Sequence, residues 1–256
     1  MNLSEFFKQG VDGEFQYFTL AHFIPLIIMA GIIFLIYKKQ DYLRTCKHEK
    51  NLRLILAFII IVIDMSYFWQ KMYVGTDIKD HLPLTVCGWA AIFGALLILS
   101  ESQFLFDIVY FWGFAGSFNA LITPAVITNS GPMHFRYYQF WIEHSSIFIV
   151  LFYMIFVFRM RPTLKSFVRS FIMLCLLAAL SIYVNFQIEG ANYLFLASTE
   201  AGDSILNFLP TNLFMRVLIM GTISIILYII VYIPYFIKDL KAKKVNIDLN
   251  EQLAIE

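Results

Sequence analysis

Long apolar runs separated by short polar segments dominate most of the chain. A bilayer core about 30 Å thick is crossed by roughly 20 apolar helical residues. The runs are continuous and do not alternate, so they predict helices and not the strands of a β-barrel. The predicted spans are Tyr17–Tyr37, Arg53–Tyr73, Leu82–Leu99, Phe104–Thr123, Tyr137–Phe158, Phe167–Gln187 and Asn212–Ile237. The pattern therefore predicts an all-α fold, a seven-transmembrane-helix bundle that forms a single integral membrane domain over residues 1–256.

Lysine and arginine are distributed unevenly between the two ends of this predicted bundle. Of the 19, 14 lie in the segments after spans 1, 5 and 7 or, as Arg53 and Arg169 do, at the start of the span that follows. The others are Lys8, Lys71, Lys79, Arg136 and Arg216. Because cytoplasmic loops carry the positive excess, the N-terminus is predicted to lie outside and the C-terminus in the cytoplasm.

Composition supports a membrane environment and narrows the function classes. The chain is 60% hydrophobic, against about 45–50% in soluble domains. A net charge of +1 gives no reason to expect a nucleic-acid partner. The three cysteines, Cys46, Cys87 and Cys175, are widely spaced, which favours neither a disulfide framework nor a CxxC metal site. The stretch "MNLSEFFKQGVDGEFQ" lacks the basic start of a cleaved signal, so we expect the first span to be retained as a signal-anchor.

Polar side chains concentrate in the outer halves of the predicted spans, whereas the inner halves are nearly all Leu, Ile, Phe and Val. The polar set is His22, Asp64, Gln70, Lys71, Cys87, Asn119, Thr123, His144, Asn185, Gln187, Asn212 and Arg216. Ionisable side chains within a membrane cost several kcal/mol unless they face a cavity or a partner. We therefore predict a polar cavity open to the outside or the outer leaflet. The alternative is an interfacial fringe with helix–helix hydrogen bonds of about 0.6 kcal/mol each.

Helical spacing assigns faces to some of these residues. One stripe of the fourth span is predicted to hold Trp112, Gly116, Asn119 and Thr123. Thr85 and Cys87 are two residues apart, about 200° around a helix, so they cannot both face the same point.

Cys87 and His144 lie at similar predicted depths, about 8 and 10 Å below the outer surface. A thiol acts as a nucleophile when a base lies within hydrogen-bond reach, and histidine is such a base near neutral pH. Asn119, Glu143 or Asp64 could orient the imidazole. The alternative is that Cys87 is a small buried hydrophobe, as expected for Cys175.

The remaining polar residues are predicted to line the cavity. The predicted substrate-binding residues are Asp64, Lys71, His81, Glu143, Asn185 and Arg216. Arg216 or Lys71 could hold a phosphate or carboxylate headgroup, or extend to the interface. A metal site built from His22, His81, His134 and His144 is disfavoured because no HxxH or HxxxH spacing occurs. We predict neither a metal nor a cofactor.

Three segments resemble the YwaF-like family of bacterial multi-pass membrane proteins. They are "LPLTVCGWAAIF", "YFWGFAGSFNALITP" and "YYQFWIEHSSIFIVLFY", in this order. Family members typically have a histidine where this chain has Thr85. The family in turn resembles a eukaryotic transmembrane acyltransferase that remodels ether phospholipids through a cysteine. More distantly, it resembles the androgen-induced-gene membrane hydrolases, which use a threonine and a histidine. The resemblance implies a bacterial plasma-membrane location, with a nucleophile in span 3 and a histidine in span 5.

Together these observations predict a lipid acyltransferase or lipid-ester hydrolase, with membrane lipids as its partners. In this hypothesis Cys87 attacks an acyl ester, His144 is the general base and then the acid, and Asn119 donates to the oxyanion. Thr85 is the rival nucleophile. The alternative is a non-enzymatic transporter or binder of a small polar or lipidic ligand. The chain shows neither internal repeats nor polar residues continuing to the cytoplasmic side, which disfavours an alternating-access carrier.

Overall fold

The computed structural model of the protein describes residues 3–8, 10, 14–75, 79, 82–197 and 209–253. Within these residues the regular secondary structure is helical and includes no strand. The α-helices are α1 (Leu3–Phe7), α2 (Leu20–Thr45), α3 (Glu49–Val74), α4 (Val86–Ser100), α5 (Gln103–Trp112), α6 (Phe118–Ile122), α7 (Phe135–Phe156), α8 (Leu164–Gln187) and α9 (Leu213–Leu253). A π-helical turn, Gly113–Ser117, joins α5 to α6, and short 3-10 turns occur at Ala125–Ile127 and Tyr193–Phe195.

In the described part of the chain, six helical segments are long and apolar enough to cross a membrane. They are Leu20–Thr45, Glu49–Val74, Gln103–Ile122, Phe135–Phe156, Leu164–Gln187 and Leu213–Lys243. Large apolar side chains such as Ile27, Phe58, Leu176 and Phe214 are more than half exposed on their outer faces. Water disfavours so much exposed apolar surface, and lipid does not. The prediction of a multi-pass membrane protein made of helices is confirmed.

The third predicted span forms a shorter helix than the others. Leu82–Leu99 was the predicted range, but α4 begins only at Val86, because Thr85 is extended and caps the helix. Its 15 residues rise about 22 Å, less than the thickness of a bilayer core. The seven-helix count and the orientation of the termini therefore stay predictions.

The fourth predicted span is continuous in space but changes its helical register. In the π-helical turn each backbone hydrogen bond spans five residues, one more than in an α-helix. The side chains after the turn are therefore rotated about the helix axis relative to those of a regular α-helix. Trp112 is 2% exposed before the turn, whereas Asn119 is exposed after it. The predicted single stripe from Trp112 to Thr123 therefore does not hold. Gly113 permits close packing here, because a Cβ at this position would lie 2.8 Å from Leu151 Cδ1.

Membrane-crossing helices that follow one another in the chain run antiparallel, so α2 and α7 run parallel, and side chains bind the helix ends together. Arg44 near the end of α2 donates from Nε to the Val157 carbonyl, 3.0 Å away, just after α7. Arg53 near the start of α3 donates to the Ile98 carbonyl, 2.9 Å away, near the end of α4. We call this the basic end of the bundle, and the opposite end, where α2, α4, α7 and α9 begin, the site end. The core between them is formed mainly by α4, α5 and α7.

Buried polar clusters also occupy the basic end, which the sequence predicted to be nearly all apolar. Asp107 is 1% exposed and accepts hydrogen bonds from Gln103 Nε2 (2.7 Å), Ser166 Oγ (2.6 Å) and Arg169 Nη1 (3.0 Å). Arg53 is paired with carboxylates from two segments in a second cluster. Ser166 and Arg169 on α8, and Glu101 after α4, come from other elements, so spacing along one helix could not reveal these partners.

Candidate functional site

Polar side chains of α3 and α7 face each other from the site end inward. Asp64, Tyr67 and Lys71 are spaced i, i+3 and i+7 on α3, which places them on one face. The same spacing on α7 is held by Arg136, Gln139 and Glu143. We call these six residues the polar ladder. The helix α4 packs against both α3 and α7, and Asp64 of the ladder lies beside its first turn, at Gly88.

Hydrogen bonds connect the α7 half of the ladder in sequence. Arg136 Nη1 donates to Gln139 Oε1, and Gln139 Nε2 donates to Glu143 Oε2, 2.5 Å away. The amide oxygen thus faces the cation and its NH₂ group faces the carboxylate, as the charges require. Glu143 and Asp64 are near enough to interact electrostatically, and each is 7% exposed. The predicted residues Asp64 and Glu143 therefore lie together.

The first turn of α4 holds Cys87 and is capped by Thr85. Thr85 Oγ1 accepts a hydrogen bond from the Gly88 N–H, 3.1 Å away, and Thr85 is exposed. A Cβ at Gly88 would lie 2.9 Å from Thr85 Oγ1 and 3.8 Å from Asp64 Oδ1. The Asp64 carboxylate therefore lies beside this turn. Thr85 has a structural task as the N-cap, and Cys87 is half-buried.

His144 reaches Cys87 from α7. The imidazole is close enough to Cys87 for the two side chains to interact electrostatically. The ring Nδ1 lies 2.9 Å from the Phe140 carbonyl, and the ring stacks on Phe140 with centroids 4.1 Å apart. A carbonyl only accepts, so Nδ1 carries the hydrogen and Nε2 of the neutral ring is left as the acceptor. His144 is 5% exposed.

Asn119 is placed away from this contact. It is exposed on α6, and its Nδ2 donates to the Ala115 carbonyl, 2.8 Å away, in the preceding turn. The π-helical turn before α6 accounts for the difference from the predicted facing. A side-chain amide engaged in this way does not point at the thiol of Cys87.

Asn185 and Arg216 bind backbone of the segment between α8 and α9. Asn185 Oδ1 accepts from Tyr193 N–H (2.8 Å), and its Nδ2 donates to the Tyr193 carbonyl (3.0 Å). Arg216 is 1% exposed and donates to the carbonyls of Phe195 (2.6 Å) and Pro210 (3.0 Å). Both side chains therefore bind the described residues at the two ends of this segment. His81, the remaining predicted substrate-binding residue, lies outside the described residues.

The other histidines at the site end are also engaged. His22 is 1% exposed, and its Nε2 lies 2.8 Å from the Leu121 carbonyl while Nδ1 accepts from the Phe18 N–H. His134 Nδ1 lies 2.8 Å from Glu14 Oε2. Among the residues that the structure describes, no three His, Cys, Asp or Glu side chains converge as a metal site would need.

Sequence reasoning missed Gln139 and Tyr67, and it counted Arg136 only as a topology signal. Gln139 is fully buried between Arg136 and Glu143. The i, i+3, i+7 spacing within "RYYQFWIE" was a usable signal for this half of the ladder. Its aromatic residues are typical of an interfacial belt, a pattern that masks the polar face between them.

Comparisons with known proteins agree with a membrane-helical protein. The model of the TMEM164 family matches residues 17–235. An uncharacterised protein of Treponema pallidum (strain Nichols) is 28% identical over 123 residues, which cover 48% of this chain. The match spans 50% of that relative's length. No solved structure matches the chain.

Proposed function

The chain belongs to the TMEM164 family, and from the junction of α3, α4 and α7 we propose that it is a lipid acyltransferase or lipid-ester hydrolase. The catalytic pair is Cys87 and His144. The membrane is the bacterial plasma membrane, with the site end facing outward. The bacterial origin of the Treponema relative supports this location, and the uneven distribution of lysine and arginine supports the orientation.

The closeness of the Cys87 thiol to the His144 imidazole carries this proposal. The Nδ1–H bond to the Phe140 carbonyl leaves Nε2 to accept the thiol proton. The nearby carboxylate of Glu143 stabilises the imidazolium that then forms. A thiol that served only for packing would need neither an imidazole held in one tautomer nor a carboxylate next to that imidazole.

In the first half-reaction the Cys87 sulfur attacks the carbonyl carbon of a lipid ester. The thiol proton passes to His144 Nε2, the carbon–oxygen bond of the ester breaks, and the departing alkoxide takes the proton from His144. The product is an acyl thioester on Cys87. Backbone N–H groups of Val86 and Cys87, in the first turn of α4, serve as oxyanion donors in place of Asn119, because such donors have no partner inside the helix.

In the second half-reaction a hydroxyl group attacks the thioester. His144 takes the hydroxyl proton, the new carbon–oxygen bond forms, and the Cys87 sulfur leaves and regains its proton from His144. A lysolipid hydroxyl as acceptor gives acyl transfer, and water gives hydrolysis. The class of acceptor is therefore the only difference between the two activities.

A binder without chemistry is the second candidate function. The polar ladder favours it, because its alternating cationic and acidic side chains can hold a zwitterionic ligand without any nucleophile. A thiol-directed acylating probe separates the two candidates. An enzyme shows faster labelling at Cys87 than at the exposed Cys175, whereas a binder shows no preference.

The proposal is tested by turnover of the purified protein in phospholipid vesicles that contain a lysophospholipid with a deuterated chain. Mass spectrometry measures both acyl transfer and fatty-acid release. Cys87→Ala and His144→Gln are expected to lose at least about 1000-fold in rate. Cys175→Ala, which removes an exposed thiol of α8 away from the site, is the matched control and keeps full rate. Unchanged turnover in both site variants would falsify the catalytic pair.

A further inference from the structure

Gln139 is fully buried, and its side-chain amide makes hydrogen bonds in three directions. Its Oε1 accepts from the Arg136 guanidinium, and its Nε2 donates to Glu143 Oε2 at 2.5 Å and to the Ile63 carbonyl of α3 at 3.4 Å. An amide nitrogen carries two hydrogens, so both of its donors and its acceptor oxygen are engaged. The side chain is therefore held in one orientation, with its NH₂ group toward Glu143.

The Arg136 guanidinium determines which way this amide points. Its Cζ lies 3.9 Å from the centroid of the Tyr67 ring and 5.7 Å from the centroid of the Phe140 ring. Attraction to these two rings keeps the cation beside Gln139 Oε1. A reversed amide would place its NH₂ group against this cation and its oxygen against the Glu143 carboxylate, and both contacts are repulsive. The arginine thus directs the amide donor onto the carboxylate.

Glu143 benefits from this donor because a second carboxylate lies close by. Asp64 and Glu143 are both buried, and they interact electrostatically. Two ionised carboxylates repel each other in a buried place, and a hydrogen bond to one of them stabilises the charge on that one. Gln139 donates to Glu143, so the negative charge is favoured there, next to the His144 imidazole with which Glu143 interacts.

We propose that Gln139 is a positioning residue, which holds the ionised Glu143 carboxylate beside His144. This inference rests on the proposed function, in which Glu143 stabilises the imidazolium that forms when His144 takes the thiol proton. A neutral amide neither gives nor takes a proton in this reaction, so Gln139 acts only through Glu143. Because Gln139 is fully buried, its substitution changes the rate of the chemical step and not the binding of the lipid.

The test is a double-mutant cycle that measures kcat and KM in the deuterated-chain assay. Gln139→Met keeps the length of the side chain but removes its amide, and it is expected to lower kcat about 10- to 100-fold with KM unchanged. Glu143→Gln is expected to lower kcat about 100-fold. In the Glu143→Gln background, Gln139→Met should lower kcat by less than about twofold more, since the amide acts through this carboxylate.

A matched control is Gln40→Met. Gln40 Oε1 also accepts from an arginine of its own helix, Arg44, at 3.0 Å, but it lies at the basic end, so this variant keeps full kcat. A purely structural role for Gln139 predicts the same loss from Gln139→Met in both backgrounds. Such additive losses, or an unchanged kcat in Gln139→Met alone, overturn the proposal.

An exchange of the two side chains covers the case in which Gln139→Met does not fold. Gln139→Glu combined with Glu143→Gln keeps an amide and a carboxylate at these positions, but it moves the charge toward Arg136 and away from His144. The exchanged protein is expected to show the low kcat of Glu143→Gln. Wild-type kcat in the exchanged protein would mean that the pair serves only for packing, which overturns the proposal.

A spectroscopic measurement separates this proposal from the proposed function. Nitrogen NMR of histidine-labelled protein in detergent micelles reports the ring nitrogens of His144, and the His144→Gln variant assigns their signals. Gln139→Met and Glu143→Gln are expected to shift these signals in the same direction, whereas Gln40→Met leaves them unchanged. This result supports the positioning role even if the wild type shows no turnover. Turnover in the wild type, together with unshifted His144 signals in Gln139→Met, overturns the positioning role alone.

Discussion

Replacing Thr85 separates its structural task from the chemistry proposed for Cys87. Thr85 Oγ1 accepts the Gly88 N–H at 3.1 Å, an ordinary N-cap geometry on an exposed residue. Water can partly replace a lost cap at an exposed site, so Thr85→Ala is expected to cost about 0.5–1 kcal/mol, the lower part of the range for such caps. For a chain of this size the melting temperature falls by about 1–4 °C.

Asparagine caps helices at least as well as threonine but carries no hydroxyl. Thr85→Asn should therefore keep the melting temperature of the wild type and its acyl-transfer rate. Thr85→Ala should lose less than about tenfold in rate, because the turn that holds Cys87 frays only part of the time. Thermal stability is measured in detergent by fluorescence-detected size-exclusion chromatography, and rate by the deuterated-chain assay.

The same series has an outcome that refutes this reasoning. If Thr85 is the nucleophile, Thr85→Asn loses more than about 1000-fold in rate while its melting temperature is unchanged. A stable but inactive Thr85→Asn would transfer the nucleophile assignment from Cys87 to Thr85.

Three further predictions concern packing and buried polar contacts, each measured as a melting temperature in detergent. Gly113→Ala should cost about 1–3 kcal/mol, because the added Cβ would lie 2.8 Å from a leucine methyl of α7, whereas Gly31→Ala meets nothing within 4 Å and should be neutral or stabilising. Asp107→Ala should cost about 2–3 kcal/mol, because three hydrogen-bond donors, one of them a half-exposed arginine, lose their acceptor. Asp239→Ala, which removes an exposed ion pair, should cost under about 1 kcal/mol. Arg216→Gln should cost about 2–3 kcal/mol, since two loop carbonyls lose a charged donor.

Each of these comparisons has a contrary result. Equal melting temperatures for Gly113→Ala and Gly31→Ala would mean that the π-helical turn and α7 are not in close contact at Gly113. A larger loss in Asp239→Ala than in Asp107→Ala would contradict the buried cluster at the basic end. An Arg216→Gln variant as stable as wild type would show that the segment between α8 and α9 does not depend on this arginine.

The apolar runs of the sequence were sufficient to predict the membrane helices, because length and hydropathy are local properties. Their limits were harder to set: α2 continues to Thr45, eight residues past the predicted end, because lysines in a helix can extend their charges to the interface. The π-helical turn at Gly113–Ser117 could not be predicted, since it depends on how Gly113 packs against α7. For this reason the facing of Asn119 failed.

For the site, similar depth was enough to suggest that Cys87 and His144 lie near each other. Depth alone could not show which side of a helix faces which neighbour. Gln139 contacts both the Ile63 carbonyl of α3 and Glu143 of α7. These contacts depend on how α7 is rotated about its axis relative to α3, which the depth of a residue in the membrane does not reveal. Arg216 has the positive charge that a headgroup ligand needs. Its side chain instead donates to the carbonyls of Pro210 and Phe195, the second of which lies 21 residues earlier in the sequence.

The most direct test of the central claim is the identity of the acylated residue. The wild type is incubated with phospholipid in the absence of a lysolipid acceptor, quenched in acid, digested and sequenced by tandem mass spectrometry, with and without neutral hydroxylamine. The predicted result is an acyl chain on Cys87 that hydroxylamine removes, together with no acyl group in His144→Gln. An acyl group on Thr85 that survives hydroxylamine, or turnover without any acylated residue in the wild type, would contradict the account.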